Sequence, residues 1–167
     1  MIFTQVNTIS HFWTLKACLP HMIQSNSGHV VTIASIAGHV GVPGLLDYCA
    51  SKFGAVGIDN ALRFELYESA PSVKTLCVCP HYISTGMFAG VSEGRFPWLI
   101  PTLTPQYVAD RVVQSIIAGD AVLFMPRFVM LVPLLKGLFT VRMQYLIMDF
   151  FGFSHSMDTF VGRRAAK

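Results

Sequence analysis

Charge is scarce in this chain. Nine acidic and 12 basic residues among 167 give a charged fraction of 13%, about half the share of an ordinary soluble domain. The net charge of +3 comes from scattered side chains whose only cluster is Arg163, Arg164 and Lys167, which leaves no basic stripe for nucleic acid. Cys18, Cys49, Cys77 and Cys79 lack the paired C-x2-C spacing of a zinc site, so no metal is expected, and the four are read as reduced, mostly buried thiols of an intracellular protein. A secretory leader, with its basic start, apolar stretch and small-residue cleavage site, is missing from the first residues. Long apolar spans are missing too. Residues 17–46 carry no charge but are broken by Pro20, His21 and "QSNSGH", and the run 128–135 is too short, so no transmembrane helix is expected.

What is abundant is apolar: 53% of residues are hydrophobic, and some of that surface is expected to meet something other than water. The length suits one domain or part of one. Residues 5–24 place Val6, Ile9, Phe12 or Trp13, Cys18 and Ile23 at helical intervals, with "SNSG" as turn chemistry and Gly28 as the stop. "HVVTIAS", "VKTLCVC" and "AVLFM" are short, β-branched and apolar on both faces, as buried parallel strands are. Between the first two, Asp47 can cap a helix over 48–69 that Pro71 disfavours continuing. Residues 81–103 read as a long loop with at most one short helix. Beyond it, Thr104 as N-cap, Pro105 at the first helical position and Gly119 as stop frame a helix with Val108, Val112, Ile116 and Ile117 along one side. The alternation predicts an α/β fold, a three-layer Rossmann-like parallel sheet covered on both faces. Ligands of such sheets bind beyond the carboxyl ends of the strands, where Ser35 and the segment after Pro80 fall.

Tyr48 and Lys52 are four residues apart, hence one turn apart on the same helix face. A free phenol, with a pKa near 10, is a poor acid or base at neutral pH, and an ammonium close by is expected to favour phenolate and lower that value. A hydroxyl at the neighbouring strand end, Ser35, can hold the same substrate oxygen. The Tyr-x3-Lys spacing alone carries little weight in a chain of this length. It gains weight from strand position, loop length and the segment downstream.

With Ser35, Tyr48 and Lys52 in that order, the chain resembles the catalytic half of the short-chain dehydrogenase/reductases, whose hallmark is Y-x3-K after a strand-end serine. The segment "VNTISHFWTLKACLPHM" is similar to the family helix that carries a catalytic asparagine, here Asn7, and "CPHYISTGMF" to the family's P-G-x-I-x-T segment. "GHVVTIAS", "DYCASKFGAVG" and "TGMF" resemble the microsomal retinol dehydrogenase and retinal reductase branch. The resemblance implies that Tyr48 transfers a proton, Ser35 polarises the substrate oxygen, Lys52 also holds the nicotinamide ribose, and Asn7 supports a relay water. Pro80, Ile83 and Thr85 would line the nicotinamide side, together with Tyr48 and Lys52. His81 stands where the family usually has glycine and is left outside the catalytic set.

The implied cofactor is NADP or NAD, and the implied reaction interconverts a lipophilic alcohol and its carbonyl, retinoid-like or alternatively a steroid or fatty alcohol. The family's T-G-x-x-x-G-x-G turn and N-N-A-G segment are absent, so the expectation is a fold truncated at the N-terminus that binds cofactor poorly by itself. Residues 1–125 are read as the catalytic part and 126–167 as an apolar helical extension that covers the substrate pocket, contacts a membrane surface, or both. The expected setting is the cytosolic face of the endoplasmic reticulum membrane or a lipid droplet. Unpartnered apolar helix faces leave room for a homodimer, and the rival reading is a non-catalytic membrane-associated or dimerisation fragment.

Overall fold

The computed structural model describes residues 2–161. The basic cluster Arg163, Arg164 and Lys167 lies outside them. Three parallel strands, β1 (Gly28–Ile33), β2 (Val73–Pro80) and β3 (Val122–Met125), form one sheet in the order β1-β2-β3. The register runs from Gly28 opposite Val73 to Ile33 opposite Val78, and from Cys77 opposite Val122 to Pro80 opposite Met125. Alternation along β2 divides the core. Leu76 and Val78 pack with Leu123 and Met125 under Val108, Val112 and Ile116 of α4 (Pro105–Ala118). Cys77 and Cys79 face the other way, against Ala55 and Val56 of α3 (Leu46–Ser69), as does Val73 against Leu62 and Leu66. Only β2 is buried on both faces, as a continuous apolar run implies; β1 and β3, at the two edges of the sheet, are partly covered, with Ile33 and Val122 exposed. The layers are those of a Rossmann-like α/β fold.

The first helical stretch is less regular than its sequence suggests. It opens as α1 (Ile2–Thr4), widens into a π-helical turn over Gln5–Ile9 and continues as α2 (Ser10–Ser25). Its half-buried inward stripe is Leu15, Leu19 and Met22, not the expected series: Val6, Phe12, Trp13, Cys18 and Ile23 are exposed. Within α2 itself, positions 15, 19 and 22 share the inward face and positions 12, 13, 18 and 23 fall off it. The stop is Asn26, in left-handed conformation at φ 45°, and not Gly28. An asparagine tolerates that region through local polar bonding, and Asn26 Oδ1 accepts from Ser72 N at 3.0 Å. Gly28 instead opens β1 because a Cβ there would lie 2.7 Å from the Met22 side chain.

Two further details differ, and the long loop is as expected. Asp47 is not the cap of α3 but sits within its first turn, where its carboxylate accepts from Tyr48 N at 2.8 Å and faces the positive end of the helix dipole. Ile117 projects outward from α4, away from the stripe that Val108, Val112 and Ile116 share. No helix forms in residues 81–103. That loop is held by an isolated bridge between Ile83 and Leu103 and by main-chain bonds to the chain's last part. Ser92 N donates to Ser156 O, Arg95 N to Phe151 O, and Val161 N to Ala89 O. Thr104, Pro105 and Gly119 frame α4 as expected, with Thr104 Oγ1 accepting from Tyr107 N.

After β3 the chain makes a 3-10 turn at Arg127–Met130 and two short helices, α5 (Leu131–Leu138) and α6 (Val141–Phe151). Thr140 caps α6 through its side chain and Gly152 ends it at φ 77°. No helix among the described residues is long and apolar enough to cross a membrane.

Candidate active site

Beyond the carboxyl ends of β1 and β2 lies a cavity of about 600 Å³. Ser35 reaches it because β1 ends at Ile33 and the chain turns into a 3-10 segment, Ile36–Gly38, that Ser35 itself caps. Its Oγ accepts from Ala37 N at 3.2 Å and donates to the Pro80 carbonyl at 3.4 Å, tying the tips of two adjacent strands. The turn lies hard against α3: a Cβ on Gly38 would stand 2.7 Å from the Lys52 carbonyl oxygen and 2.6 Å from Val56 Cγ2. Glycine is what lets the strand-end serine approach this helix so closely.

Tyr48 and Lys52 come from the first turns of α3. The Tyr48 ring is held edge-on between Phe3 and Phe88, at centroid distances of 5.9 and 5.7 Å. Lys52 Nζ lies 5.8 Å from the Tyr48 ring centroid and donates to the Ile33 carbonyl at 2.8 Å. The expected acidification of the phenol by this ammonium is not what the arrangement produces. Burial is the largest influence on Tyr48 and raises its pKa, while the nearby Ser35 hydroxyl pulls it down by less. Burial likewise lowers the pKa of Lys52. A desolvated phenol resists ionisation more than an ammonium occupied with a carbonyl can offset.

Ser35, Tyr48, Lys52, Pro80, Ile83 and Thr85 all line this one cavity. Asn7 does not. Its amide nitrogen donates to Ser51 Oγ at 3.1 Å, and Ser51 Oγ donates to the Tyr48 carbonyl at 2.7 Å. Asn7 therefore reaches the site through the backbone of α3. Thr8, beside it in the π turn, donates to Ser51 O at 2.8 Å.

Several lining residues could not be assigned from sequence. Phe128, Leu131, Leu135, Ile147, Phe151 and Phe153, from the last part of the chain, form much of the apolar wall. Tyr82 and His81 add polar edges next to Pro80. The apolar density after Met125 was a visible signal, but which face of each helix turns inward depends on how α5 and α6 fold back.

The family model for short chain dehydrogenase matches residues 2–95. The chain belongs to the short-chain dehydrogenase family. Among relatives, the bovine short-chain dehydrogenase/reductase family 16C member 6 is 43% identical over 159 residues, covering 95% of this chain and 50% of the relative. Human epidermal retinol dehydrogenase 2 is 41% identical over 160 residues, 95% of this chain and 52% of that protein. Rat estradiol 17-beta-dehydrogenase 11 is 43% identical over 139 residues, 83% and 45% of the two chains. This short-chain dehydrogenase chain thus spans about half the length of the curated relatives it matches. A solved short-chain dehydrogenase from Burkholderia cenocepacia J2315, in complex with NADP, superposes with a TM-score of 0.67 at 24% identity, over 88% of this chain and 56% of that one. That likeness shows the shared fold.

Proposed function

We propose that this chain carries the proton-transfer part of a nicotinamide-dependent oxidoreductase that interconverts a lipophilic alcohol and its aldehyde or ketone. The observation that carries the reading is the convergence of Ser35, Tyr48 and Lys52 on a single, largely apolar cavity. The names of the relatives, a retinol dehydrogenase and an estradiol dehydrogenase, support an alcohol substrate. A retinoid-like substrate is the first choice and a steroid or fatty alcohol the second.

The residues fit the nicotinamide end of NADP or NAD. Tyr48 and Lys52 present hydroxyl and ammonium donors on one wall, suited to ribose hydroxyls, and Pro80, Ile83 and Thr85 line the same space. When bound, such a cofactor supplies or accepts the hydride. The chain's own part is acid–base chemistry. Ser35 holds the substrate oxygen, and Tyr48 gives it a proton as negative charge develops there. Because burial raises the phenol's pKa, Tyr48 is stored protonated at neutral pH, which suits the donor role and hence carbonyl reduction.

The outward faces of α5 and α6 support a second element of the proposal, docking on a membrane surface in the endoplasmic reticulum or on a lipid droplet. Leu138 is 70% and Leu146 63% exposed, on helices whose other faces line the cavity, and Arg127 and Arg142 flank them in exposed positions. An apolar face with basic neighbours suits an interfacial helix at an anionic lipid surface.

The test is retinaldehyde reduction with NADPH, by this chain and by this chain joined to the upstream half of a family relative. Tyr48→Phe is expected to lower turnover about 10²- to 10⁴-fold with cofactor affinity kept. Undiminished turnover rejects Tyr48 as the proton donor. Sedimentation with anionic liposomes but no turnover and no cofactor binding in either form would favour the non-catalytic membrane fragment instead.

A further inference from the structure

The cavity is almost wholly apolar, and most of its polar groups are already engaged. Lys52 is bonded to Ile33 O and Ser35 to Pro80 O and Ala37 N. His81 differs. Its backbone extends the ladder between β2 and β3 by donating to Met125 O at 2.8 Å, which fixes the residue at the cavity wall. Its ring packs against Tyr82 at 4.4 Å and Phe153 at 5.6 Å between centroids. Nδ1 accepts the Tyr82 main-chain N–H, so the proton of the neutral ring sits on Nε2. Nε2 has no hydrogen-bond partner among the described residues, and His81 lines the cavity.

We propose that the Nε2–H of His81 is a second polar anchor of the substrate site, donating to an oxygen that a lipophilic substrate carries away from its reacting carbon. The inference rests on the reading of this cavity as the substrate site and, within that reading, favours the steroid-like alternative over a retinoid, whose one oxygen is the reacting one: the substrate class is an elongated apolar molecule with oxygen functions at two places. An apolar wall binds without direction, whereas one placed donor selects orientation and chemistry. Burial holds the pKa of His81 down at about 4, so at physiological pH the ring stays neutral, with one donor free. The route from Tyr48 to His81 runs through Phe88 and Tyr82, with successive centroid distances of 5.7, 5.1 and 4.4 Å. Both groups are therefore within reach of one ligand.

Calorimetric titration of the chain with octanol, decanol and dodecanol, each against its α,ω-diol, tests this without turnover. In the wild type the diol of the best-fitting length is expected to gain over its mono-alcohol, relative to His81→Phe, by about 3- to 10-fold in affinity, the scale of one hydrogen bond. His81→Gln, which keeps a donor, is expected to keep part of the gain. His81→Phe should bind the mono-alcohols at least as well as the wild type, which also shows that it folds. Equal diol-to-alcohol ratios in wild type and His81→Phe at every length overturn the proposal, as does failure of the wild type to bind any of the six probes. If the selectivity is found but neither this chain nor its fusion to the upstream half of a relative reduces retinaldehyde or binds cofactor, the redox reading falls and the anchor stands.

Discussion

Lys52 Nζ donates to the main-chain carbonyl of Ile33, the last residue of β1, at 2.8 Å. One side chain thus ties the catalytic helix to the strand whose end presents Ser35, and places a positive charge within 5.8 Å of the Tyr48 ring centroid. The bond spends the ammonium on the protein's own backbone. A cofactor ribose that drew Lys52 away would leave the Ile33 carbonyl to solvent, which is available because Ile33 is 54% exposed.

Lys52→Met keeps the stem of the side chain and removes the charge. With Ile33 able to take water instead, the loss of folding stability is expected to be small, about 1 kcal/mol, read from the urea midpoint. Under the proposed mechanism turnover falls far more, by 10²-fold or above on the scale of a lost acid–base partner. A variant that loses stability and activity in equal, minor degree would show Lys52 to be only a tether.

Asn7, Ser51 and the Tyr48 carbonyl form a chain of two hydrogen bonds, and Ser51 is fully buried. Single substitutions Asn7→Ala and Ser51→Ala are each expected to cost about 1–2 kcal/mol. The double variant should cost less than their sum, because both remove the same Asn7–Ser51 bond. Thermal unfolding of the four proteins gives the coupling. Additive losses would mean that Asn7 is not bound to α3 in this way.

His81 supplies an acid-sensitive element. Its folded pKa is about 4 against an ordinary value of 6.5, burial being the largest cause and Glu93 opposing it. Below about pH 6.5 the unfolded chain takes up a proton that the folded ring refuses until about pH 4, so stability falls as pH drops through that window. The loss at pH 4.5 is expected to be on the order of 1–2 kcal/mol with partial solvent access allowed for. His81→Gln should flatten this part of the profile. His11, His29 and His39 are shifted downward as well, so the difference between wild type and variant is the quantity that isolates His81. An unchanged pH slope in the variant would place His81 outside the buried wall.

Much of the fold was legible because its signals are local. The β-branched run that begins at His29 forms a strand, β1, although it is only partly buried, and Thr104, Pro105 and Gly119 punctuate α4 through capping chemistry that acts within four residues. Failures occurred where a distant contact overrode local pattern. Gly28 is small because Met22 presses on it, not because α2 stops there. Val6, Phe12, Trp13, Cys18 and Ile23 are exposed because α2 turns Leu15, Leu19 and Met22 toward the core instead, a choice set by packing against α3 and the sheet.

By itself, the order of residues determined that a serine follows a strand, that a tyrosine and a lysine share one helix face, and that the chain carries more apolar surface than one small core consumes. Those are consequences of backbone periodicity and of composition, which need no partner to be read. Only the tertiary structure decided that burial pushes the Tyr48 phenol up, that Asn7 is bonded to Ser51 of α3 and does not line the cavity, and that a histidine beside Pro80 lines an apolar chamber walled by the chain's last helices. Desolvation and hydrogen-bond choice depend on what surrounds a group in three dimensions, and that surrounding is assembled from segments more than a hundred residues apart.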